Sequence, residues 1–530
     1  MRTDEIRERY LAFFAERGHT RIPSSSLIPA ASDRSVLLTT AGMQPLKPYF
    51  LGIERPPASR LTSCQKCFRA VDIENVGNTT RHLTFFEMLG NFSIGDYFKQ
   101  AAIELAWELS LEVFGFPETD IWVTVFAGDE RLGLGPDEEA IELWQAVGVP
   151  RERIVECARS ENFWEAGAVG PSGPCSELYL DRGVQFGGAA DLPGGENERF
   201  LEYWNLVFMQ YNQDPHDQLS PLPANNIDTG MGLDRMAAIL QEKPSVFETD
   251  KFQPLIDLGE ELSGVRYGDD DLVDRALRIL ADHARGATFI IADGVVPSNE
   301  ERGYVLRRLM RRAIQQGRKL GMPDGFFIRY GEVVSELMGE VYPELIEQRA
   351  AIKTWLASEE ESFRRTLEQG SKLLDELIEG ALAEQRSAIA AHDAFTLHDT
   401  YGFPFELTRE LAAEHGLQVE QEGFSALMQA QRTRARNAAS SAADSSGDLR
   451  ESVARLAAST DQPSYFRGYE TQQLRTTVAA LQRDGERLFV KLAESPFYPP
   501  GGGQVADVGV IECESGECLF DVADVYRLEG

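Results

Sequence analysis

The chain has 530 residues, of which 43% are hydrophobic, and it carries a formal net charge of −33. The length predicts about three or four domains, and the hydrophobic content is ample for buried cores. The negative charge argues against nonspecific binding to nucleic acid, because an acidic field repels phosphate. The sequence contains no run of about eighteen apolar residues, which excludes a conventional membrane-spanning helix.

The chain begins with MRTDEIRERYLAFFAERG, which has the pattern of an amphipathic helix. This segment includes Asp and Glu, unlike a secretory or transit signal, so the sequence predicts a cytoplasmic protein. The six cysteines are few and scattered for a chain of this length. In a reducing compartment they are expected to be mostly free thiols, and a disulfide scaffold is not expected.

Two of the cysteines, Cys64 and Cys67, form a CxxC pattern that could supply half of a zinc site. A structural zinc site normally takes closely spaced pairs of ligands. Buried or partly exposed thiols are therefore the favoured interpretation, and neither protein-bound zinc nor another metal site built from side chains is expected. The remaining cysteines do not repeat the spacing: Cys157, Cys175, Cys513 and Cys518.

The most informative segment is residues 81–99, RHLTFFEMLGNFSIGDYFK, which is aromatic, polar and interrupted by glycine. Alternation along a strand places its side chains on two faces, each with a ring beside hydrogen-bonding groups. Gly90 and Asn91 are expected to end the strand. The segment suits a flat ligand, and the alternative is an aromatic strand packed under a helix. One face would carry His82, Thr84, Phe86 and Met88, and the other Leu83, Phe85 and Glu87.

Two arginines stand close to this segment in the expected fold. If Arg69 lies on a strand that pairs with residues 83–89, its guanidinium approaches whatever the aromatic strand holds. The second arginine, Arg235, ends the glycine-rich run DTGMGLDR, after which helical periodicity places it in the first turns of a helix. Guanidinium groups match phosphate oxygens and stack on purine faces, so this pair suits a nucleotide.

The later part of the chain changes character twice. Residues 241–435 contain repeated amphipathic runs, which predict a helical section. Residues 436–462 are rich in Ala and Ser and poor in large apolar groups, which is typical of a linker. Residues 463–530 indicate short strands around the turn-rich sequence PPGGG.

One segment of the helical section is strongly basic. The sequence ERGYVLRRLMRRAIQQGRK predicts a helix with two basic stripes, which suit RNA phosphates. The alternative is a solvated helix that forms salt bridges with the acidic body of the protein. The basic residues of this segment are Arg302, Arg307, Arg308, Arg311, Arg312, Arg318 and Lys319.

Taken together, residues 81–99 and 228–235 resemble motifs 2 and 3 of the class II aminoacyl-tRNA synthetases, and TFFEMLGNFS with DTGMGL is similar to the alanyl-tRNA synthetase family. The resemblance continues in the family's order along essentially the whole chain. It includes SSSLIPA, LLTTAGMQPLKPYFLG, ENFWEAGAVGPSGPCSE, EYWNLVFMQYN, ADGVVPSNEERGYVLRRLMRRA and HDTYGFPFELT.

The resemblance implies an α+β fold whose catalytic domain, residues 1–240, is an antiparallel sheet flanked by helices. It implies a helical tRNA-recognition domain at 241–435, a linker at 436–462, and the start of a small β domain at 463–530. The sequence SPFYPPGGGQVADVG in that last section is similar to the opening of the family's editing domain.

The implied reaction activates L-alanine with ATP, with Mg²⁺ on the phosphates, and transfers the alanyl group to the 3′ end of tRNA(Ala). Because the first step is an in-line displacement at phosphorus, catalysis is mainly positioning and charge neutralisation. Arg69 is expected to hold the carboxylate and the α-phosphate, and Arg235 the γ-phosphate and one adenine face. Phe85 or Phe86 is expected to cover the other face, and Glu87 to orient the adenine side or a metal ion. Arg81 and Met88 complete the expected ATP-binding set.

By the same resemblance, Asp228 accepts hydrogen bonds from the α-amino group of alanine. Asn205 and Trp164 flank the substrate, and Val207 with Gly230 lines the methyl pocket. The alternatives are a core role for Trp164 and Val207 and a turn or helix-cap role for Asp228. A pocket fitted to a methyl rejects a hydroxymethyl or a hydrogen by only about 1–3 kcal/mol, so serine and glycine are expected to be activated as well.

The family recognises a G·U pair in the tRNA acceptor stem, and the matching residues here are Asn299 and Asp399. Both side chains suit base edges exposed in a groove, whereas Arg307 and Arg311 are expected to grip phosphates without sequence choice. Capping of the following turn is the alternative for Asp399.

The seven histidines include no HxxxH pattern, so the zinc ligands of the family's editing site are missing and editing is expected to be absent. The C-terminal oligomerising segments of the family are also missing, which predicts a monomer that is a truncated chain or one piece of a split enzyme. Two other hypotheses remain: a noncatalytic RNA-binding module, and an ATP-dependent carboxylate-activating enzyme that uses no tRNA. The first would tolerate loss of Arg69, Asp228 and Arg235, and the second would not need Asn299 or Asp399.

Overall fold

The computed structural model describes residues 1–430 apart from 32, 34, 168 and 196, and, with gaps, residues from 456 to 525. It divides into two compact units, Met1–Glu376 with Tyr401–Leu407, and Leu377–Thr400 with Thr408–Gly530. The predicted domain limits at residues 240 and 435 stay predictions. Most of the predicted linker, and residues 500–506 of the PPGGG turn region, lie outside the described residues.

Helices begin and end at residues suited to those positions. The Asp270 side chain accepts hydrogen bonds from two amides of the first turn of α8, and α7 is followed by Gly264 in the left-handed conformation, with φ of 76°. The helices are α1 Thr3–Glu16, α2 Lys47–Phe50, α3 Lys99–Glu108, α4 Glu138–Ala146, α5 Arg159–Asn162, α6 Leu233–Leu240, α7 Gln253–Ser263, α8 Asp271–Ala292, α9 Glu301–Lys319, α10 Phe326–Met338, α11 Glu344–Glu347, α12 Arg349–Ala383, α13 Ala391–Asp399 and α14 Phe405–Glu414.

The strands fall into a long set in the first unit and a short set in the second. The first set is β1 Thr20–Arg21, β2 Arg60–Phe68, β3 Phe85–Ile94, β4 Ile121–Phe126, β5 Ile154–Cys157, β6 Phe163–Glu165, β7 Gly170–Asp181, β8 Phe200–Gln213 and β9 Leu219–Gly232. The second set is β10 Ala388–Ile389, β11 Gln418–Val419, β12 Tyr465–Phe466, β13 Val478–Asp484, β14 Arg487–Leu492, β15 Glu494–Ser495, β16 Gly509–Glu512 and β17 Leu519–Val522.

The first unit is organised around one sheet in the order β1-β2-β3-β9-β8-β7-β4-β5, with β6 paired to β7. Along the sheet, each neighbouring pair from β2 through β3, β9, β8 and β7 to β4 is antiparallel. Among these eight strands, only the outer pairs β1·β2 and β4·β5 are parallel. Helices follow the sheet from α7 onward, and small strand pairs lie in the second unit. The predicted fold class, an antiparallel sheet flanked by helices with a helical section and short terminal strands after it, is confirmed.

The strand of the aromatic segment differs from the prediction at both ends. It begins at Phe85, because the backbone amide and hydroxyl of Thr84 donate to Asp282 of α8 at 2.9 and 2.5 Å instead of to a neighbouring strand. It also continues through Gly90 and Asn91 to Ile94. Gly90 is needed for packing rather than for termination, since a Cβ there would lie 2.5 Å from the Phe92 ring.

A buried ion pair behind β3 connects the sheet to two other parts of the first unit. Glu87 accepts hydrogen bonds from Nε and Nη2 of Arg7 on α1, each at 2.9 Å. It also accepts one from the hydroxyl of Tyr342, which lies between α10 and α11, at 2.8 Å. Since removal of one partner of a buried pair strands the other charge, this cluster holds α1 and the helical section in a fixed position against the sheet.

A second buried cluster surrounds Lys66 on β2. Its ammonium group donates to Asp293, directly after α8, at 2.8 Å, and also to Glu344 at the start of α11. The other oxygen of Asp293 accepts from the amide of Leu27 at 2.6 Å. The charge of Lys66 is thus neutralised by carboxylates of the helical section. These ion pairs connect that section to β2, the strand that precedes Arg69.

The second unit contains short strand pairs: β10 with β11, β12 with β15, and the hairpins β13–β14 and β16–β17. Cys513 and Cys518, beside the last hairpin, form a disulfide with a Cα–Cα distance of 5.4 Å. The prediction that most of the cysteines are free thiols is confirmed, and this pair is the exception. Free thiols are found at Cys64, Cys67, Cys157 and Cys175. No helix in the described part of the chain is both long and apolar enough to cross a membrane.

Candidate functional site

One face of the sheet begins with β2, β3 and β9. Cys67 of β2 is paired with Phe86 of β3, and Met88 of β3 is paired with Gly232 of β9. Directly paired residues share a face, and every second residue along a strand returns to it. Phe86 and Met88 therefore lie on the same face as Gly232, and Arg69, two residues after Cys67, follows on the same side at the end of β2.

The same face continues onto β8 and β7. Asn205 is paired with Gly230, and Val207 is paired with Asp228. Gly230 and Asp228 are two and four residues before Gly232 on β9, so all four side-chain positions share the face of Phe86 and Met88. The register therefore gathers predicted nucleotide and alanine residues on one surface, which we call the site face.

Arg69 and Phe86 lie next to each other at one end of the site face. The amide of Arg69 donates to the carbonyl oxygen of Thr84 at 2.8 Å, and its Nε donates to the carbonyl oxygen of Thr40 at 3.2 Å. Its guanidinium carbon lies 5.0 Å from the centroid of the half-buried Phe86 ring. Among the described residues, nothing accepts from the other guanidinium N–H groups of Arg69, which suit an anion.

Met88 lies between two glycines of the site. Its sulfur accepts a hydrogen bond from the amide of Gly42 at 3.2 Å. A Cβ on Gly230 would lie 2.9 Å from the same sulfur, so Gly230 is the residue that allows Met88 to occupy this position. Both predicted residues thus belong to one packed group.

The structure does not bring Phe85 or Glu87 to the site face. Phe85 is fully buried and stacks on Phe289 of α8 with ring centroids 4.0 Å apart, and Glu87 is held by Arg7 behind the sheet. Alternation left the choice between Phe85 and Phe86 open; α8 covers the Phe85 side of β3, and the identity of the ring that stacks on adenine stays a prediction. The expected contact of Glu87 with the adenine or a metal ion finds no support in this placement.

Arg235, the third residue of α6, is anchored by an acidic residue on β8. Its Nη1 donates to a carboxylate oxygen of Glu202 at 2.6 Å and to the Glu202 carbonyl oxygen at 3.3 Å. Burial by itself would lower the pKa of Arg235, but the Glu202 charge raises it above its ordinary value. Arg81 donates to the carbonyl oxygen of Asn197 at 3.1 Å and pairs with Glu198. Burial lowers the pKa of His82, and the charges of Arg235 and Arg81 both lower it further.

Asp228 is a buried carboxylate without a cation. It is 5% exposed, and within the described part of the chain no side chain or amide donates a hydrogen bond to its carboxylate. Burial raises the pKa of Asp228 to about 7. A buried carboxylate with such a pKa is typical of functional sites, because a purely structural carboxylate would be paired.

The residues around Asp228 supply one more free acceptor and an apolar wall. The amide nitrogen of Asn205 donates to Glu177 at 2.9 Å, whereas its buried Oδ1 has no partner among the described residues. Val207 is 2% exposed in an apolar cluster that also includes Cys175, and half-buried Trp164 packs against this cluster from β6. The predicted alanine residues are therefore brought together by adjacent strands.

Sequence reasoning missed an acidic group on the same face. Glu177 of β7 is paired with Asn205, and Tyr179 is paired with Glu202 across a shift in register. Burial raises the pKa of Glu177, and the charge of Glu202 raises it further. The signal was present in the motifs GPCSE and EYWNLVF, each of which carries one acidic residue among apolar ones.

The basic helix α9 is more internally paired than its sequence indicates. Arg311 donates to Glu359 of α12 at 2.7 Å and to the carbonyl oxygen of Gly402 at 2.8 Å. Arg307 forms an ion pair with the same glutamate at 3.4 Å. Arg312 is buried and donates to the carbonyl oxygen of Ile73 at 2.7 Å. The alternative interpretation, a helix that forms salt bridges within the protein, therefore describes much of this surface.

The two residues predicted to contact bases, Asn299 and Asp399, lie in different units. Asn299 is exposed in the loop before α9, where its side-chain oxygen accepts a hydrogen bond from Arg307. The same arginine donates to the carbonyl oxygen of Pro297 at 3.2 Å, so it organises the Asn299 loop. Asp399 is exposed at the last position of α13.

Within the described ranges, no group of three or more His, Cys, Asp and Glu side chains is arranged to hold a metal ion. Cys64 and Cys67 are both buried, and burial raises the pKa of each thiol.

Comparison with known proteins identifies a family over almost the whole chain. The family model described as "tRNA synthetases class II (A)" matches residues 5–530. A protein named "Alanine--tRNA ligase" from Dehalococcoides mccartyi (strain ATCC BAA-2266 / KCTC 15142 / 195) is 46% identical over 538 residues, which cover 99% of this chain and 60% of that protein. The protein of the same name from Desulforudis audaxviator (strain MP104C) is 47% identical over 526 residues, which cover 97% and 58%.

The chain thus spans about three fifths of the length of these curated relatives. Among solved structures, an apo S. aureus histidyl-tRNA synthetase aligns with 47% of this chain and 70% of its own, at 11% identity and a TM-score of 0.29, which is too weak to bear on the fold.

The raised pKa of Asp228 predicts a specific dependence of stability on pH. The unfolded carboxyl has a pKa near 3.8 and the folded one about 7. The folded state therefore binds more protons between these values, and stability is lost as pH rises from about 4 to 7. Relative to Asp228→Asn, the wild type should lose about 2–3 kcal/mol between pH 5 and pH 8, measured by chemical denaturation. Parallel stability curves for the two proteins would contradict the assignment.

Proposed function

Because this chain belongs to the class II (A) tRNA synthetases, we propose that it activates L-alanine with ATP and transfers the alanyl group to the 3′ end of tRNA(Ala). The observation that carries the proposal is the buried Asp228 carboxylate, which has no cationic partner among the described residues and lies on a face that also presents Arg69 and Phe86. The names of the relatives favour alanine as the amino acid.

The amino acid is bound by acceptors at one end and by apolar contacts at the other. Its ammonium group donates to Asp228 and to the free Oδ1 of Asn205, which satisfies both buried acceptors at once. Its methyl group packs against Val207, and Trp164 closes the pocket from β6. The substrate carboxylate is then directed toward Arg69.

ATP is held by the β3 side of the site face. Phe86 stacks on one face of the adenine, while Arg69 binds the α-phosphate and the substrate carboxylate together. Arg235 binds the γ-phosphate after exchanging part of its contact with Glu202. The reaction needs no protein nucleophile: the carboxylate attacks the α-phosphorus, pyrophosphate leaves, and Arg69 neutralises the charge that develops on the phosphate oxygens.

The family implies Mg²⁺ on the ATP phosphates, and the acidic group of β7 and β8 fits such an ion. Glu177 and Glu202 share the site face, and the charge of Glu202 contributes to the raised pKa of Glu177. A divalent cation between the two carboxylates would lower this pKa again. Two carboxylates leave positions for phosphate oxygens and water. When bound, the ion neutralises phosphate charge and orients the pyrophosphate group.

For tRNA(Ala), we propose that Asn299 and Asp399 contact the acceptor-stem G·U pair in the minor groove, where base edges are accessible in A-form RNA. Arg307 supports this role by holding the Asn299 side chain and its loop. Arg311 is the phosphate contact, in competition with Glu359. Since the histidines form no HxxxH pattern, we assign no editing step to these residues. A cytoplasmic location and a monomeric state stay predictions.

Alanine-dependent exchange of pyrophosphate into ATP tests the first step. The wild type should exchange strongly with alanine and measurably with serine and glycine, since the pocket discriminates by only about 1–3 kcal/mol. Asp228→Asn should lose at least about a hundredfold in kcat/KM for alanine, because a neutral amide offers the ammonium a weaker acceptor. The matched control is Asp214→Asn, a half-buried carboxylate in the turn after β8 whose Oδ1 accepts from the amides of His216 and Gln218, as the oxygen of an asparagine also can. Absence of exchange with intact ATP binding would instead favour a noncatalytic module.

Charging of an acceptor-stem minihelix tests the tRNA assignment. The wild type should charge a G·U minihelix in preference to its G·C counterpart, and Asn299→Ala should reduce that preference by about 1–3 kcal/mol. Arg311→Gln should weaken both RNAs equally and reduce the salt dependence, because it removes a phosphate contact. Equal charging of the two RNAs by the wild type would contradict the G·U proposal. Alanine activation with no charging of either RNA would favour an enzyme that does not use tRNA.

A further inference from the structure

Arg285, in the middle of α8, is a buried arginine that the proposed chemistry does not use. It is 1% exposed. Its guanidinium carbon lies 5.2 Å from the centroid of the Phe85 ring and 4.1 Å from that of Phe252. The charge is therefore enclosed by two aromatic rings and separated from solvent.

The hydrogen bonds of Arg285 connect two elements of the nucleotide site. Its Nη1 donates to Asp234 on α6 at 2.8 Å, and its Nη2 donates to the carbonyl oxygen of Phe85 on β3 at 2.8 Å. The other oxygen of Asp234 accepts from the amide of Glu87, also on β3, at 3.4 Å. One guanidinium fork thus joins the first turn of α6 to the first residue of β3.

Each of these two contacts adjoins a residue that the proposed function assigns to ATP. Asp234 directly precedes Arg235, and Phe85 directly precedes Phe86. The neighbouring helical residue Asp282 holds Thr84, whose carbonyl oxygen in turn accepts from the amide of Arg69. By contrast, the alanine residues lie on β6, β8 and β9, and the two Arg285 hydrogen bonds go to α6 and β3.

An apolar side chain would fill this core position at lower cost. Enclosing a guanidinium requires desolvation, and the Nε of Arg285 has no hydrogen-bond partner in the described part of the chain. A planar fork, however, fixes two acceptors in a set direction, which neither an apolar group nor the single ammonium of lysine does. The arrangement therefore trades stability for a fixed geometry between α6 and β3.

We propose that Arg285 is a positioning residue for the nucleotide half of the site, which sets the distance between Arg235 and Phe86. This inference rests on the proposed function, since it deepens the assignment of these two residues to ATP. It concerns ATP selectively: loss of the fork should loosen the ATP contacts and leave the alanine pocket in place.

Steady-state exchange kinetics of Arg285→Lys test the proposal. The KM for ATP should rise at least tenfold, while the KM for alanine should change less than threefold. Asp234→Asn, which keeps the size of the partner and removes its charge, should give the same split. The control is Leu277→Ala, on the same helix, whose fully buried side chain packs at Gly259 of α7.

A merely structural role would give a different result. If Arg285→Lys lowers the melting temperature as Leu277→Ala does and leaves the KM for ATP unchanged, or raises both KM values equally, the proposal is overturned. Failure of both Arg285→Lys and Asp234→Asn to fold would also overturn it in favour of a core role. If the wild type shows no exchange at all, the proposed function fails separately, and calorimetric titration with ATP then decides whether Arg285→Lys weakens nucleotide binding at least tenfold.

Discussion

The register of the central antiparallel strands is the constraint on which the site depends. Since side chains alternate between the faces of a strand, a shift of one residue in any pair would send a whole set of side chains to the opposite face. The observed pairs Met88↔Gly232, Asn205↔Gly230 and Val207↔Asp228 keep nucleotide and amino-acid residues together. The site is therefore a property of strand pairing, to which loops contribute contacts such as the carbonyl oxygen of Thr40.

The opposite face fixes this register through burial and charge. It carries a large apolar core under α1, α3 and α6, with Trp204, Leu206 and Met231 fully buried. Charged clusters at Glu87 and Lys66 attach the helical section to the same strands. Each buried charge is strongly dependent on its partner, so these clusters allow few alternative arrangements of helix and sheet.

Much of the fold was accessible from sequence, because long periodic segments and motif order carry it. The amphipathic runs predicted within residues 241–435 correspond to helices such as α8, α9 and α12. The strand limits were less accessible. Thr84 leaves the ladder to bond Asp282, a residue about two hundred positions away, and Gly90 serves the packing of Phe92. Local patterns contain neither contact.

For a similar reason, the positions of only some of the predicted site residues were accessible from sequence. Asp228, Asn205 and Phe86 lie on one face, as strand alternation permits, whereas the burial of Phe85 under α8 depends on a contact with Phe289 that local sequence does not contain. The proximity of Glu177 and Glu202 was not predicted, because the sequence around an acidic residue in a strand does not show which residue lies beside it on the next strand. The ion pairs of α9 were not accessible from sequence, since partners such as Glu359 come from a distant helix, and the RNA contacts of α9 stay a prediction.

The central claim is that the buried carboxylate of Asp228 accepts hydrogen bonds from the ammonium group of the substrate. Calorimetric titration of alanine and of propionate, which lacks the ammonium group, tests it most directly at pH 6 and pH 8. With a pKa of about 7, the carboxylate should be about tenfold more populated at the higher pH, so alanine should bind about tenfold more tightly there while propionate binds no better. An alanine affinity that is independent of pH and unchanged in Asp228→Asn would contradict the account.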